Sequence, residues 1–190
     1  MRHPFRLIAL VLGLSLTGVL AAPVKADTFK IDPVHSSIVF KIKHANVSYV
    51  YGRFNKFEGA FTLDGDKSSV EATAAVESVD TAVPKRDDHL RGPDFFNAKQ
   101  FPDISFKSTK VEEKDGKLVF TGDLTLHGVT KPITVELTKV GEGPGMKPGE
   151  VRAGLEGALT IKRSDFGMSG MLNMLGDEVT LMLGFEGVKQ

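Results

Sequence analysis

The sequence predicts an all-β fold, an eight-stranded antiparallel up-and-down barrel, on three observations. Apolar and polar residues alternate at period two through most of the chain, which is the mark of strands with one buried and one wetted face. Eight such runs follow one another, mostly joined by short polar turns. Helical patterns do not alternate with them, so a parallel α/β arrangement is disfavoured.

Taken in order, the first run is Ile38-Val39-Phe40-Lys41-Ile42-Lys43, with Ile38, Phe40 and Ile42 on one face. The second carries Phe57, Gly59, Phe61 and Leu63 on its inner face; after the Asp64-Gly65-Asp66 turn, the third carries Val70, Ala72, Ala74 and Val76. Ile104 and Phe106 open the fourth, Asp115-Gly116 turns it, and Leu118, Phe120, Leu124 and Leu126 form the inner face of the fifth. The sixth holds Ile133, Val135 and Leu137 and is followed by a flexible loop over 141–149. Val151 to Ile161 makes the seventh and Val179 to Phe185 the eighth. Two long connections break the rhythm. Residues 78–102, between strands three and four, read as a loop with short helices, and residues 165–176, between strands seven and eight, bring Phe166, Met168, Met171, Leu172 and Met174 together among glycines. Both segments are candidate lids.

The N-terminus reads as an export signal. Arg2 and Arg6 precede an apolar run, Leu7 to Leu20, too short to span a bilayer, and Ala21-Ala22-Pro23 leads to a cleavage site after Ala26. The expected domains are therefore a signal peptide over 1–26 and one barrel over 27–190, with no transmembrane segment after cleavage. Cleavage leaves 21 basic against 24 acidic side chains, a balance that attracts no nucleic acid. The sequence has no cysteine, so packing alone must hold an exported fold of this size.

Eight strands enclose either a filled core or room for one small ligand. The inward positions Gly59, Ala72, Ala74, Gly122, Ala153 and Gly157 are small, whereas Phe40, Phe61, Phe106, Phe120 and Phe185 are large. This contrast fits an aromatic-lined tube with space along one side; it fits equally a core whose gaps are filled from opposite or glycines that bend strands. Met168 and its neighbours would suit a floppy alkyl chain at a mouth, or a plug. The expected ligand wall and mouth are Phe40, Phe61, Phe106, Phe120, Leu126, Leu159, Phe166, Met168 and Phe185, with Arg86 and Arg91 as headgroup contacts because guanidinium forks suit phosphate.

Enzymatic signatures are sparse. The chain has no cysteine nucleophile, no nucleophile-elbow serine, no phosphate-cradling glycine loop and no paired-histidine zinc motif. His35, His44, His89 and His127 are widely separated and read as satisfying local turns, so no catalytic residue, metal or cofactor is expected.

Six segments in order carry a resemblance. They are Ile31-Asp32-Pro33-Val34-His35-Ser36, Gly52-Arg53-Phe54, Arg86-Asp87-Asp88-His89-Leu90-Arg91 with Asp94-Phe95-Phe96, Phe101 to Phe106, Gly122 to Pro132, and Ile161 to Met168. Through them the chain resembles the YceI-like family of lipocalin-fold, polyisoprenoid-binding proteins over residues 28–188. One departure is Phe29, where the family commonly has Trp. The resemblance implies a lipocalin-like barrel in the bacterial periplasm that sequesters or transports a polyisoprenoid, isoprenoid quinone or fatty-acid derivative. It implies no cofactor-dependent reaction. Two rivals stand beside this reading: an enzyme using His89 and Asp87 on a bound isoprenoid, and a solid barrel whose lids contact an envelope protein or a second copy in a homodimer.

Overall fold

The computed structural model describes residues 26–190, so all but the last residue of the expected signal lies outside the described residues. Eleven strands form one antiparallel sheet, and β1 pairs with both β4 and β11, closing it. They are β1 (Asp27–Ile31), β2 (Ser37–His44), β3 (Ser48–Phe54), β4 (Phe57–Leu63), β5 (Ser69–Ala75), β6 (Val79–Asp80), β7 (Asp103–Lys114), β8 (Lys117–Leu126), β9 (Val129–Pro144), β10 (Val151–Lys162) and β11 (Leu175–Lys189). The helix α1 (Pro84–Arg91) follows β6.

The eleven strands make eight staves. β1 and β2 both run along β11, at Phe29↔Lys189 and Phe40↔Leu181, as one interrupted stave. β3 and β4 form the next, paired to β2 and β1 respectively, and β5 with β6 the third, paired to β4 and β3. β7 to β11 complete the ring as five neighbouring staves. The result is the predicted closed eight-stranded antiparallel lipocalin-like barrel.

The three interruptions share one level of the wall, and each has a local cause. In the first stave Pro33 brings no N–H to a ladder, and the Asp32 carboxylate accepts from Val34 N at 3.0 Å, a turn made from its own side chain. Asn55 and Lys56 interrupt the second; their amides donate to Ser78 O and to Ser78 Oγ, in the 3-10 turn Val76–Ser78 that breaks the third. The second and third kinks thus satisfy each other's freed polar groups.

Two hairpins close through two-residue turns with positive φ at both positions, Asp115-Gly116 and His127-Gly128, the mirror-type turn that matches strand twist. β9 continues through Pro144, so the expected flexible loop over 141–149 shortens to residues 145–150. The long connection between β6 and β7 carries one α-helix, with Pro84 at its first position and Gly92-Pro93 ending it, and then turns in place of further helices.

One end of the barrel is sealed. Phe29 and Phe61 stack there with centroids 5.3 Å apart, and Gly187 lies so close that an added Cβ would meet Phe29 and Phe61 atoms within 2.9 Å. Fully burying aromatic pairs of this kind contributes several kcal/mol, about 2 per ring or more. The opposite end is roofed by the connections 81–102 and 163–174.

Candidate functional site

Between the sealed end and the roof lies a cavity of about 200 Å³. The barrel is therefore not packed solid, and the aromatic-lined tube holds over the filled core. Of the thirty residues that line it, only His44, Thr81, Arg86 and Arg163 are polar, and none is acidic. Such a wall offers water few partners and an apolar chain many.

The space does not come from the inward glycines. A Cβ on Gly59, Gly122 or Gly157 would lie 2.2–2.3 Å from a carbonyl oxygen of the neighbouring strand. These glycines let adjacent staves coil tightly, the strand-bend alternative. Ala72 and Ala74 do face the cavity, beside Phe106 and Ile104 on β7, and supply width.

Roof and wall are continuous. The third stave ends at Asp80, so Ser48–Gly52 of β3 has no strand on that edge among the described residues. The 81–102 connection stands beside that gap, with Thr81 against Gly52 and Leu90, Phe95 and Phe96 turned to the cavity. Phe96 meets Phe54 edge-on at 5.7 Å, and Phe54 in turn meets Phe40 at 5.7 Å. The second roof segment packs on the first: a Cβ on Gly170 would lie 2.4 Å from Asp94 O and 4.0 Å from the Phe95 ring.

The expected ligand residues divide between cavity and packed ends. Phe40, Phe106, Leu126, Leu159, Met168, Phe185 and Arg86 line the cavity. Phe61 lies in the sealed-end stack, Phe120 is wholly buried in the main core, and Phe166 packs with Leu124 and Leu126 under the roof; none of the three borders the cavity. Arg91 also lies outside it. Its guanidinium donates to Glu77 O, Val79 O and the Asp88 carboxylate, tying α1 to the third stave.

Arg86 is held differently. Nε donates to Thr81 Oγ1 at 2.7 Å and Nη2 to Thr81 O at 2.8 Å, while Thr81 donates its own hydroxyl and amide to Asp87 Oδ1. Asp87 is thereby buried away from the cavity wall. His89 points outward, half exposed, with Nε2 3.2 Å from Asp94 Oδ2. The pair invoked for an isoprenoid-processing enzyme thus does not border the cavity.

Arg163 is a wall residue that the sequence reading did not select. It is 3 % exposed, and it donates to the carbonyls of Met168, Gly170, Leu175 and Gly176, pinning the roof segment beneath which it lies. Its burial depresses the guanidinium's pKa, partly opposed by Asp177, whose carboxylate is itself held by Ser164 N and Oγ. The available signal was the place of Arg163 in the Ile161–Met168 segment that carries the resemblance, directly after an alternating strand.

His127 occupies its turn, with Nδ1 3.2 Å from Phe166 O and the Phe101 ring at 4.7 Å. At the sealed end Asp32, His35 and Glu186 converge within 4.8 Å, a spacing that could hold a metal ion. Arg152 already fills that role: Nη1 lies 2.8 Å from Asp32 Oδ2 and 2.5 Å from Glu186 Oε1, and Nε 2.6 Å from Glu150 Oε1. A fixed cation among three carboxylates makes this an ion-pair clasp across the first stave, β10 and β11.

Residues 29–186 match the model of the YceI-like domain. A UPF0312 protein of Pseudomonas aeruginosa is 42% identical over 189 residues, covering 97% of each chain. Burkholderia cenocepacia BcnA superposes with a TM-score of 0.74 at 27% identity, over 82% of this chain and 98% of that one. A polyisoprenoid-binding domain from Saccharophagus degradans, implicated in plant cell wall breakdown, shares the fold at a TM-score of 0.64 and 14% identity, over 87% of this chain and all of that one. Matched along nearly its whole barrel, and at this identity to its relatives, the chain belongs to the YceI-like domain family.

Proposed function

We propose that this protein binds a long-chain amphiphile inside the barrel and sequesters or carries it in the periplasm, without acting on it. The observation that carries the reading is the apolar cavity inside the barrel, whose few polar wall residues include arginines from both roof connections. Each methylene moved from water into such a wall gains about 0.8 kcal/mol, so about ten of them outweigh the cost of ordering the chain. The Saccharophagus degradans domain is described as polyisoprenoid-binding, and fold is what it shares with this chain.

Cleavage of the expected signal would deliver the barrel to the periplasm. Among the described residues no helix is long and apolar enough to cross a membrane. The enzyme reading lacks a site in the cavity, since Asp87 and His89 do not line it.

Native mass spectrometry of the protein purified from its own periplasm, followed by organic extraction, tests the proposal. A stoichiometric long-chain adduct supports it. An empty protein that also fails to take up added quinones and isoprenyl phosphates overturns it in favour of an interaction module.

A further inference from the structure

We infer that the ligand's head is an acid, a phosphate or carboxylate, received at the roofed end by Arg86 and Arg163. This rests on the carrier reading and narrows it, separating acidic amphiphiles from neutral ones such as quinones, alcohols and amides.

The charge balance of the cavity wall carries the argument. Two guanidinium groups border a space whose other lining residues are apolar apart from His44 and Thr81, with no carboxylate in that wall. Neither arginine has a carboxylate oxygen within 4.0 Å among the described residues, whereas Arg91, which does not border the cavity, has one carboxylate partner and Arg152, likewise outside it, has three. Buried cations are ordinarily paired, because desolvating a charge is costly unless an opposite charge or hydrogen bonds offset it. Arg163 meets that cost with four backbone carbonyls, which supply dipoles and no net charge. Arg86 is only part-buried, and the Thr81 hydroxyl stands between it and the Asp87 carboxylate.

Donor capacity remains for a ligand. A guanidinium carries five N–H groups. Arg86 commits two of them, Nε–H and one on Nη2, both to Thr81, which fixes the plane of the fork and leaves Nη1 free of protein acceptors. Arg163 commits four, leaving one on Nη2, the nitrogen with the longest bond, 3.4 Å to Leu175 O. Both groups rise from the roofed end, Arg86 in the first connection and Arg163 at the start of the second, and those connections touch where Gly170 packs on Asp94 and Phe95. An acid held there leaves its chain pointing down the apolar shaft. A neutral head would leave Arg163 with only the more distant charge of Asp177, and Arg86 with only the Thr81-bridged charge of Asp87, to balance them.

The test compares matched pairs that share a tail: farnesyl phosphate against farnesol, and dodecanoate against dodecanol, each titrated into delipidated protein. In at least one pair the acid binds more tightly, by about tenfold or more, as expected for a desolvated charge pair. The pair that shows the preference distinguishes a phosphate head from a carboxylate. Arg86→Gln lowers that preference by about tenfold. Equal binding of acid and alcohol in both pairs by the unaltered protein overturns the headgroup assignment and leaves the carrier reading intact. No binding of any of the four removes both.

Discussion

At Asp32 one carboxylate accepts from His35, from Arg152 and from the amide of Val34, and these contacts, His35 foremost, hold its pKa at about 2 against an ordinary 3.8. The folded value lies below the unfolded one, so the stabilisation is fully present above about pH 4 and is lost as pH falls towards 2. Asp32→Asn is therefore expected to lower stability by about 1 kcal/mol at neutral pH and to flatten the acid limb between about pH 4 and 2. Urea unfolding across that range measures it; an acid limb as steep as that of the unaltered protein would show that this carboxylate does not clasp the staves. A second residue-scale outcome concerns Gly122, where a Cβ would lie 2.3 Å from Lys107 O and 2.6 Å from Ser108 Cα. The neighbour is backbone and cannot step aside, so Gly122→Ala should cost about 2 kcal/mol or more, read as a lowered denaturation midpoint with unchanged slope.

Among the elements, the connection after β10 depends most on a single side chain. Arg163 holds its carbonyls while Met171, Leu172 and Met174 stand partly exposed above. Arg163→Gln should raise amide hydrogen exchange across residues 167–176 by about tenfold or more, because each lost hydrogen bond is worth about 1 kcal/mol, while β8 and β9 stay protected. Uniform loss of protection would instead make Arg163 part of the global core. The element scale is also where sequence patterning reads well and then stops. Each of the eight runs of alternation lies on its own stave, and Asp115-Gly116 marks a real turn. β1, β3 and β6 are short pieces beyond Asp32-Pro33, Asn55-Lys56 and Val76–Ser78 that join a stave only because neighbouring staves kink at the same level. No periodicity within five or seven residues shows such an alignment.

For the molecule as a whole, the consequence is a closed wall around a space that one side chain can fill. Ala72 faces the cavity opposite no polar partner, directly beside Phe106. Ala72→Phe is expected to weaken uptake of a long-chain amphiphile by about tenfold or more, while the thermal midpoint of the empty protein changes by less than about 5 °C. Retained uptake in a folded variant would move the ligand out of the barrel.

The sequence by itself determined the number of staves, the facing of the eight alternating runs, the Asp115-Gly116 turn and the family, because period-two burial and turn chemistry are local properties of a chain. Six aromatic or aliphatic wall residues, from Phe40 to Phe185, and Arg86 were legible through parity or motif. Only the tertiary structure decided which inward residues border space and which are sealed in. Phe61, Phe120 and Phe166 share the burial of the wall residues but lie in the packed ends, a matter of height along the barrel that the alternation does not encode. The glycines, ambiguous in sequence, proved to be close strand approaches, since only register brings Lys107 O to Gly122. Arg163, one basic residue among many along the chain, became a buried cation on a cavity because closure of the barrel and folding of the roof remove it from water together.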